Sequence, residues 1–328
     1  MKFIAIHGGA GKRSDKSIRS KALEAIVKAL EAGIETLSNG SALDAVIASV
    51  VSMEDSPYLN AGIGSTVNLI GEVEMDACVA TEDSIGAIAG TKIARNPILL
   101  AKRVMDTDHL IIAGRGADML AKIYGMAVDS NSFFITPRVH RLWKAAMYEL
   151  LEGDVPEDLK DLKPIVERYI NNIYPKVKEY ISYYSQYITL ADTVGAVAFD
   201  GEHLAAATST GGVFLKLPGR VGDSPIFGAG TYVGNGIAIS ASGVGEQIIK
   251  TSLAKVISTL YTYGLPIDDA VESGMKLASK SFERPSMGVI AVSEEGISIH
   301  HTTEAFVAGY AILDGSEIVE KKVSDVWE

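Results

Sequence analysis

Apolar positions along the chain recur in two rhythms, one of strands and one of helices. Lys2 to His7 is a short apolar run halted by Gly8 and Gly9, which predicts a buried strand entering a glycine turn. From about Asp15 to Leu37, Ala22, Ile26, Ala29, Leu30, Gly33 and Leu37 recur at helical spacing with charges between them, the mark of a core-facing helix. Ser41 opens a second helix, with Asp44 completing a capping pattern ahead of Ala45, Val46, Ile47, Val50 and Val51. Met53 to Gly64 is irregular, and strand-like runs follow at Ser65–Leu69 and Glu72–Val79. Pro97 starts another helix, His109–Ile112 reads as a strand, and a further helix follows Gly114.

Between residues 125 and 190 both rhythms fade. Acidic residues, lysines and tyrosines mix without alternation, which predicts a partly helical, partly mobile connecting segment. Compact strands rich in Ala, Gly, Val and Ile then follow at Thr193–Phe199, His203–Thr208, Gly236–Ser240, Ser286–Val292 and Ile297–His301. Helices are expected at Gly245–Tyr263 and Pro266–Phe282. Strands apolar on both faces are buried on both faces, so the pattern predicts one layered α+β domain built from both halves of the chain.

Charge narrows the function classes. With 30 basic against 41 acidic residues, the chain offers no clustered positive footprint for nucleic acid or anionic membrane. No apolar run approaches membrane-spanning length, and Met1–His7 is too short for a secretion signal, so a cytoplasmic protein is expected. Cys78 is the single cysteine and cannot form an intramolecular disulfide; a buried small hydrophobe is its expected role.

The histidines fall in no nucleophile or metal motif, and Gly8-Gly9-Ala10-Gly11-Lys12 lacks the first glycine and the Ser/Thr of a phosphate loop. Polar chemistry concentrates instead between Asp192 and Asp223. A hydrolase without histidine can use an N-terminal threonine, whose α-amine, with a pKa of about 7.7–8.0, is the base. Thr193 starts a buried strand directly after the connecting segment, where a cut at Asp192-Thr193 would free that amine. Thr210 ends the next strand of a hairpin turned at Asp200-Gly201 and is placed to orient Thr193. Arg220 and Asp223 match the carboxylate and ammonium of a free amino acid, although an ordinary surface ion pair has the same signature. The hydroxyl of Ser242 and the N–H of Gly243, ahead of a helix, suit an oxyanion. The Met53–Gly64 loop is either a plain connection or a ring of carbonyls for an alkali cation.

In order along nearly the whole chain outside residues 125–190, six motifs resemble the plant-type L-asparaginase/isoaspartyl peptidase family. They are His7–Gly11 (HGGAG), Asn60–Gly64 (NAGIG), Asp76–Val79 (DACV), Thr193–Ala198 (TVGAVA), Thr208–Gly212 (TSTGG) and Leu217–Pro225 (LPGRVGDSP). The resemblance implies an N-terminal nucleophile hydrolase with a four-layer αββα sandwich. Its single domain, residues 1–328, would cut itself into 1–192, ending in a mobile linker from about 125, and 193–328. Two such processed units would pair as a homodimer. By position, the resemblance makes Thr193 nucleophile and base, Thr210 its partner and Asn60 a nearby support. It gives the substrate carboxylate to Arg220, the ammonium to Asp223, and the oxyanion hole to Ser242 and Gly243. It implies no organic cofactor, and a structural sodium ion on the carbonyls of Met53, Glu54, Ser56, Leu59, Ala61 and Ile63.

The expected reaction is hydrolysis of L-asparagine to L-aspartate and ammonia, and of β-aspartyl dipeptides. Departures keep other readings open: Asp192 stands where the family usually has Gly and resembles glycosylasparaginase and the threonine protease taspase, and Ser242 replaces a usual Thr. A site-specific threonine protease or glycosylasparaginase, and a non-catalytic amino-acid-binding protein, are the alternatives.

Overall fold

A computed structural model describes residues 1–11, 16–150, 193–325 and 327. In chain order the first half holds β1 (Lys2–Gly11), α1 (Lys16–Asn39), α2 (Ala42–Glu54), β2 (Met75–Thr81), β3 (Ile85–Thr91), α3 (Pro97–Met105), β4 (Ile111–Ala113), α4 (Arg115–Ile123) and α5 (Pro137–Leu150). The second half holds β5 (Val194–Phe199), β6 (Leu204–Thr210), β7 (Thr231–Gly234), β8 (Ile237–Gly243), α6 (Gly245–Thr251), α7 (Leu253–Thr262), α8 (Ile267–Ser279), β9 (Met287–Ser293), β10 (Gly296–His301), β11 (Ala305–Asp314) and β12 (Glu317–Ser324). The strands form an eight-stranded sheet, ordered β12-β11-β1-β5-β6-β2-β3-β4, and a four-stranded sheet, ordered β10-β9-β8-β7.

The two-residue period of the strands sorts the core. Ile4, Ile6, Val194, Ala196, Ala205 and Ala207 point to one side of the large sheet and pack against Ile26, Leu30, Val46 and Val50 of α1 and α2. Their neighbours Phe3, Ala5, Val197 and Ala206 face the small sheet and meet Ala238, Ile290 and Val292. On the far side of the small sheet, Ile237, Ile239, Val289 and Ala291 pack against Leu253 and Ile257 of α7 and Val271 and Met275 of α8. The central strands are therefore covered on both faces, as their composition requires.

Several expectations change. β1 does not stop at Gly8 and Gly9; it runs to Gly11 against β11 through a bulge between His7 and Gly9. The bulge shifts parity, so His7 and Ala10 both face the small sheet. Ser65–Leu69 is not a strand, because single partners take its backbone groups: Thr66 N–H donates to Asn60 Oδ1, Leu215 N–H to the Val67 carbonyl and Leu69 N–H to the Lys216 carbonyl. The helix expected at 245–263 breaks at Ser252, whose φ of 48° is left-handed, into α6 and α7. The helical part expected in this segment is α5, and residues 125–150 are packed. Phe134, Val139, Leu142 and Ala145 build an apolar cluster with Val67, Met75, Phe214 and Leu215, and Gly64 N–H donates to the Phe134 carbonyl at 2.9 Å. The rest of the expected linker, 151–192 with Asp192, lies outside the described residues.

Candidate active site

Residues at the ends of the inner strands and in the loops beside them carry the chemistry. Antiparallel pairing of β5 and β6 sets Val194 opposite Ser209, which brings the preceding Thr193 beside Thr210. Thr193 is 4% exposed, and its Oγ1 donates to Thr210 Oγ1 at 3.3 Å. Thr210 Oγ1 also accepts the Gly212 N–H at 2.9 Å, so the turn after β6 polarises it. Asn60 fixes that turn from the other side. Its Nδ2 donates to the Gly212 carbonyl at 2.7 Å, its Oδ1 accepts from Thr66 N–H at 2.8 Å, and its carbonyl accepts from Gly211 N–H at 2.9 Å. Asn60 thus reaches the threonine pair through the backbone of Gly211 and Gly212.

Arg220 and Asp223 are not a solvated pair. A side chain at Gly245 would begin 2.8 Å from both Arg220 Nη2 and Asp223 Oδ1, so the two converge on a spot that only glycine leaves open. Arg220 makes a bidentate pair with Glu246, Nε to Oε1 and Nη2 to Oε2, each at 2.9 Å. Burial pushes the Glu246 carboxyl up, but the Arg220 charge outweighs it and leaves the group below its ordinary range. Asp223 is the reverse case: burial pushes it up to about 7 against the pull of Arg220, and its Oδ2 is buried with no hydrogen-bond partner. A buried carboxyl of this kind is an unfilled acceptor for a cation.

Asp76 joins the two groups. It sits opposite Thr210 in the β2–β6 register, its Oδ2 accepts from Gly222 N–H at 3.1 Å, and its Oδ1 from Gly90 N–H at 2.8 Å. Lys216 lies beneath, donating to the carbonyls of Glu74 at 2.6 Å and Gly211 at 3.0 Å. Its burial pushes the ammonium down to about 8. Ser242 is fully buried on β8, and its Oγ accepts from Ala10 N–H at 3.1 Å. The structure therefore ties this hydroxyl to the glycine-rich end of β1. Gly243, with φ of 140°, adopts a backbone that other residues rarely reach.

Sequence reasoning missed Glu246 and Lys216 as site residues, and gave Asp76 and His7 only a place in motifs. Glu246 follows the glycines expected at a helix start, and its distance from Arg220 in sequence hides the pair. Lys216 carried a faint signal, a lone lysine between apolar residues of F-L-K-L-P.

In the Met53–Gly64 loop, Gly62 and Gly64 have φ of 53° and 97°. The carbonyl oxygens of Leu59 and Pro57 lie 2.8 and 2.9 Å from where a Gly64 side chain would begin. Carbonyls of Met53 and Glu54 accept from Ser56 and Ile63 N–H at 3.1 and 2.7 Å, and each keeps a second lone pair. These carbonyls are neutral oxygens of the kind a hard cation takes as ligands. Among the described residues, no group of three or more His, Cys, Asp or Glu is placed to hold a metal ion.

Compared with known families, residues 1–320 match the one described as asparaginase. The chain belongs to the asparaginase family. Its relatives include a plant-type L-asparaginase of Pyrococcus abyssi, 40% identical over 299 residues that span 90% of this chain and 91% of the relative. An isoaspartyl peptidase of Salmonella typhimurium is 39% identical over 308 residues, 89% of each chain. A probable isoaspartyl peptidase/L-asparaginase of Arabidopsis thaliana is 35% identical over 325 residues, 95% of this chain and 96% of its own. The resemblance carried by the six motifs therefore holds. As an asparaginase-family member the chain is an amidohydrolase, and the Thr193–Thr210 pair and the Arg220–Asp223 pair, linked through Asp76, form its candidate centre.

Proposed function

We propose that this protein hydrolyses the side-chain amide of L-asparagine, and the isopeptide bond of β-aspartyl dipeptides, releasing L-aspartate. The observation that carries the reading is the buried Thr193–Thr210 hydroxyl pair. Thr193 Oγ1 donates to Thr210 Oγ1, and His7, the histidine that reaches Thr193, is engaged at both ring nitrogens, by the Thr193 carbonyl and by Ser240 Oγ. The base is then its own α-amine, freed when the chain cuts between Asp192 and Thr193.

In the cut, Thr193 Oγ1 attacks the Asp192 carbonyl carbon, the peptide C–N bond breaks, and the acyl group passes to oxygen. Water hydrolyses this ester, leaving the Asp192 carboxylate and the Thr193 amine. In turnover the amine takes the Oγ1 proton, Oγ1 attacks the substrate's side-chain carbonyl carbon, and the proton passes to the departing nitrogen. Ammonia or the amino acid leaves, water hydrolyses the β-aspartyl ester, and aspartate departs. Thr210 holds the attacking hydroxyl, Asn60 braces the turn behind Thr210, and Ser242 with the Gly243 N–H receives the oxyanion. Arg220, steadied by Glu246, takes the α-carboxylate, and Asp223 Oδ2 takes the α-ammonium.

Packing of α1 and α2 on the large sheet, of one sheet on the other, and of α7 and α8 on the small sheet supports a four-layer αββα sandwich of the N-terminal nucleophile type. The same reading divides the single layered domain into 1–192 and 193–328 and pairs two processed units. It expects no organic cofactor. A sodium ion on the carbonyls of Met53, Glu54, Ser56, Leu59, Ala61 and Ile63 would stiffen the loop that presents Asn60. No described helix is long and apolar enough to cross a membrane, and Cys78 is a buried free thiol, which suits a cytoplasmic setting.

The test is N-terminal sequencing of purified protein held until processing stops, together with release of ammonia from asparagine and of leucine from β-Asp-Leu. A fragment starting at Thr193 and both products are expected, and Thr193→Ala should give neither. A wild-type chain that stays intact and releases nothing sinks the proposal.

A further inference from the structure

Thr193 lies just outside the β5 ladder, and a buried histidine on the neighbouring strand takes hold of its backbone. His7 Nδ1 lies 3.2 Å from the Thr193 carbonyl oxygen, and Nε2 lies 2.9 Å from Ser240 Oγ. A carbonyl only accepts, so Nδ1 carries the proton and Nε2 receives the Ser240 hydroxyl. Ser240 Oγ is 2.8 Å from Thr208 Oγ1, and Thr231 Oγ1 is 2.7 Å from Thr208 Oγ1. Thr231 Oγ1 also lies 2.9 Å from the Ser224 carbonyl oxygen, so its proton has two acceptors; from Thr208 onward the protons run one way, to Ser240, to His7, to the Thr193 carbonyl. The row joins β7 and β8 of the small sheet to β6 and β1 of the large one, ending at the residue before β5.

Its surroundings leave the row no slack. His7, Thr208 and Ser240 are fully buried, and the Phe306 ring sits 5.5 Å from the imidazole. A side chain at Gly195 would overlap both Ser240 Oγ and His7 Nε2, so the glycine of T-V-G-A-V-A makes room for the histidine of H-G-G-A-G. Burial holds the ring neutral, pushing it down to about 3, so it has no part in proton transfer.

We infer that His7 is a positioning residue: its Nδ1–H anchors the Thr193 carbonyl and so sets where the Thr193 hydroxyl and nitrogen stand relative to Thr210. This rests on Thr193 being the nucleophile. Cleavage at Asp192-Thr193 removes the covalent neighbour on the nitrogen side, and a new chain end frays unless something ties it down. The His7 bond is such a tie and survives the cut, since the carbonyl it holds is on the other side of the residue. Ser240 fixes the tautomer that makes the tie possible.

The test compares wild type, His7→Phe and His7→Asn on β-Asp-Leu, with rates expressed per fragment beginning at Thr193. For His7→Phe, kcat should fall on the order of 10- to 100-fold, with KM within about threefold because Arg220 and Asp223 are untouched. The Asn amide supplies an N–H near the Nδ1 position, so His7→Asn should regain much of kcat. Unchanged kcat in His7→Phe, or equal loss in both variants, overturns the inference while leaving the nucleophile in place. Should both variants fail to fold, nitrogen NMR of histidine-labelled wild type decides: protonated Nδ1 and bare Nε2 throughout pH 5 to 9 support it, and the opposite tautomer or a titration in that range overturns it. A wild type that neither processes nor turns over removes the nucleophile reading, and the inference falls with it.

Discussion

The elevated Asp223 carboxyl makes a quantitative statement about acid pH. Burial holds this group at about 7 instead of 3.8, and in the proposed reaction it must be ionised to take the substrate ammonium. At pH 6 roughly one free enzyme in eleven carries the Asp223 carboxylate, and each further unit costs about tenfold. In the same proposal the free Thr193 amine, with a pKa of about 7.7–8.0, must also be unprotonated. Both conditions apply to free enzyme, so log kcat/KM should rise with slope two below about pH 7 and with slope one from there to about 8. In the complex the ammonium neighbour keeps Asp223 ionised, so log kcat should rise with slope one only.

Asp223→Asn removes one of the two protons and should return kcat/KM to slope one. At pH 8 it should also lower kcat/KM by about 10- to 150-fold, the worth of a charged hydrogen bond of about 1.5–3 kcal/mol. Initial rates on β-Asp-Leu from pH 5 to 9, with circular dichroism at each pH, are sufficient. Unfolding through Asp223 does not mimic the effect. Its folded pKa lies above its ordinary value, so its contribution to stability is fully present below about 3.8 and is lost as pH rises through about 7. A folded wild type with slope one through pH 5–7, or an Asp223→Asn variant that keeps slope two, would refute the reasoning.

Three further outcomes are expected. Glu246→Gln takes away Arg220's bidentate carboxylate and a negative charge that helps raise Asp223; steady-state kinetics should show KM up by about tenfold and the Asp223 break moved below pH 7. Gly195→Ala forces a methyl group into the His7–Ser240 contact and should cost about 1–3 kcal/mol in denaturant unfolding while slowing the appearance of a fragment starting at Thr193 on gels. Burial pushes Glu54 up to about 8, so its stabilising contribution is present below 4.5 and fades as pH rises through 8; Glu54→Gln should gain on wild type between pH 5 and 9, by about 5 kcal/mol at most, in urea titrations.

What the sequence made legible follows from how local each signal is. The Thr193–Thr210 pair could be read because two strands joined by a short turn lie in one stretch, although the turn closes one step later than Asp200-Gly201, with Phe199 opposite Leu204 and Asp200–His203 between the strands. Arg220 and Asp223 lie three apart in a turn, and their joint use is local too. Glu246, 26 residues from Arg220, and His7, 186 residues from Thr193, meet their partners only in the folded chain, His7 through the pairing of β1 with β5, and nothing in their neighbours' spacing encodes that. The same argument explains the fold errors. Residues 125–150 showed no clear alternation in the sequence because what buries Phe134 and the Val139–Leu142–Ala145 face of α5 is Val67 and Phe214, far along the chain. Glycines carried the long-range information instead. Gly195 records the presence of His7 and Ser240, and Gly245 records Arg220 and Asp223, each as a missing side chain whose reason lies on another strand or loop. A glycine inside a buried strand is therefore better read as the imprint of a group from elsewhere than as a weak point in the strand, and at Gly195 that group is the one holding Thr193.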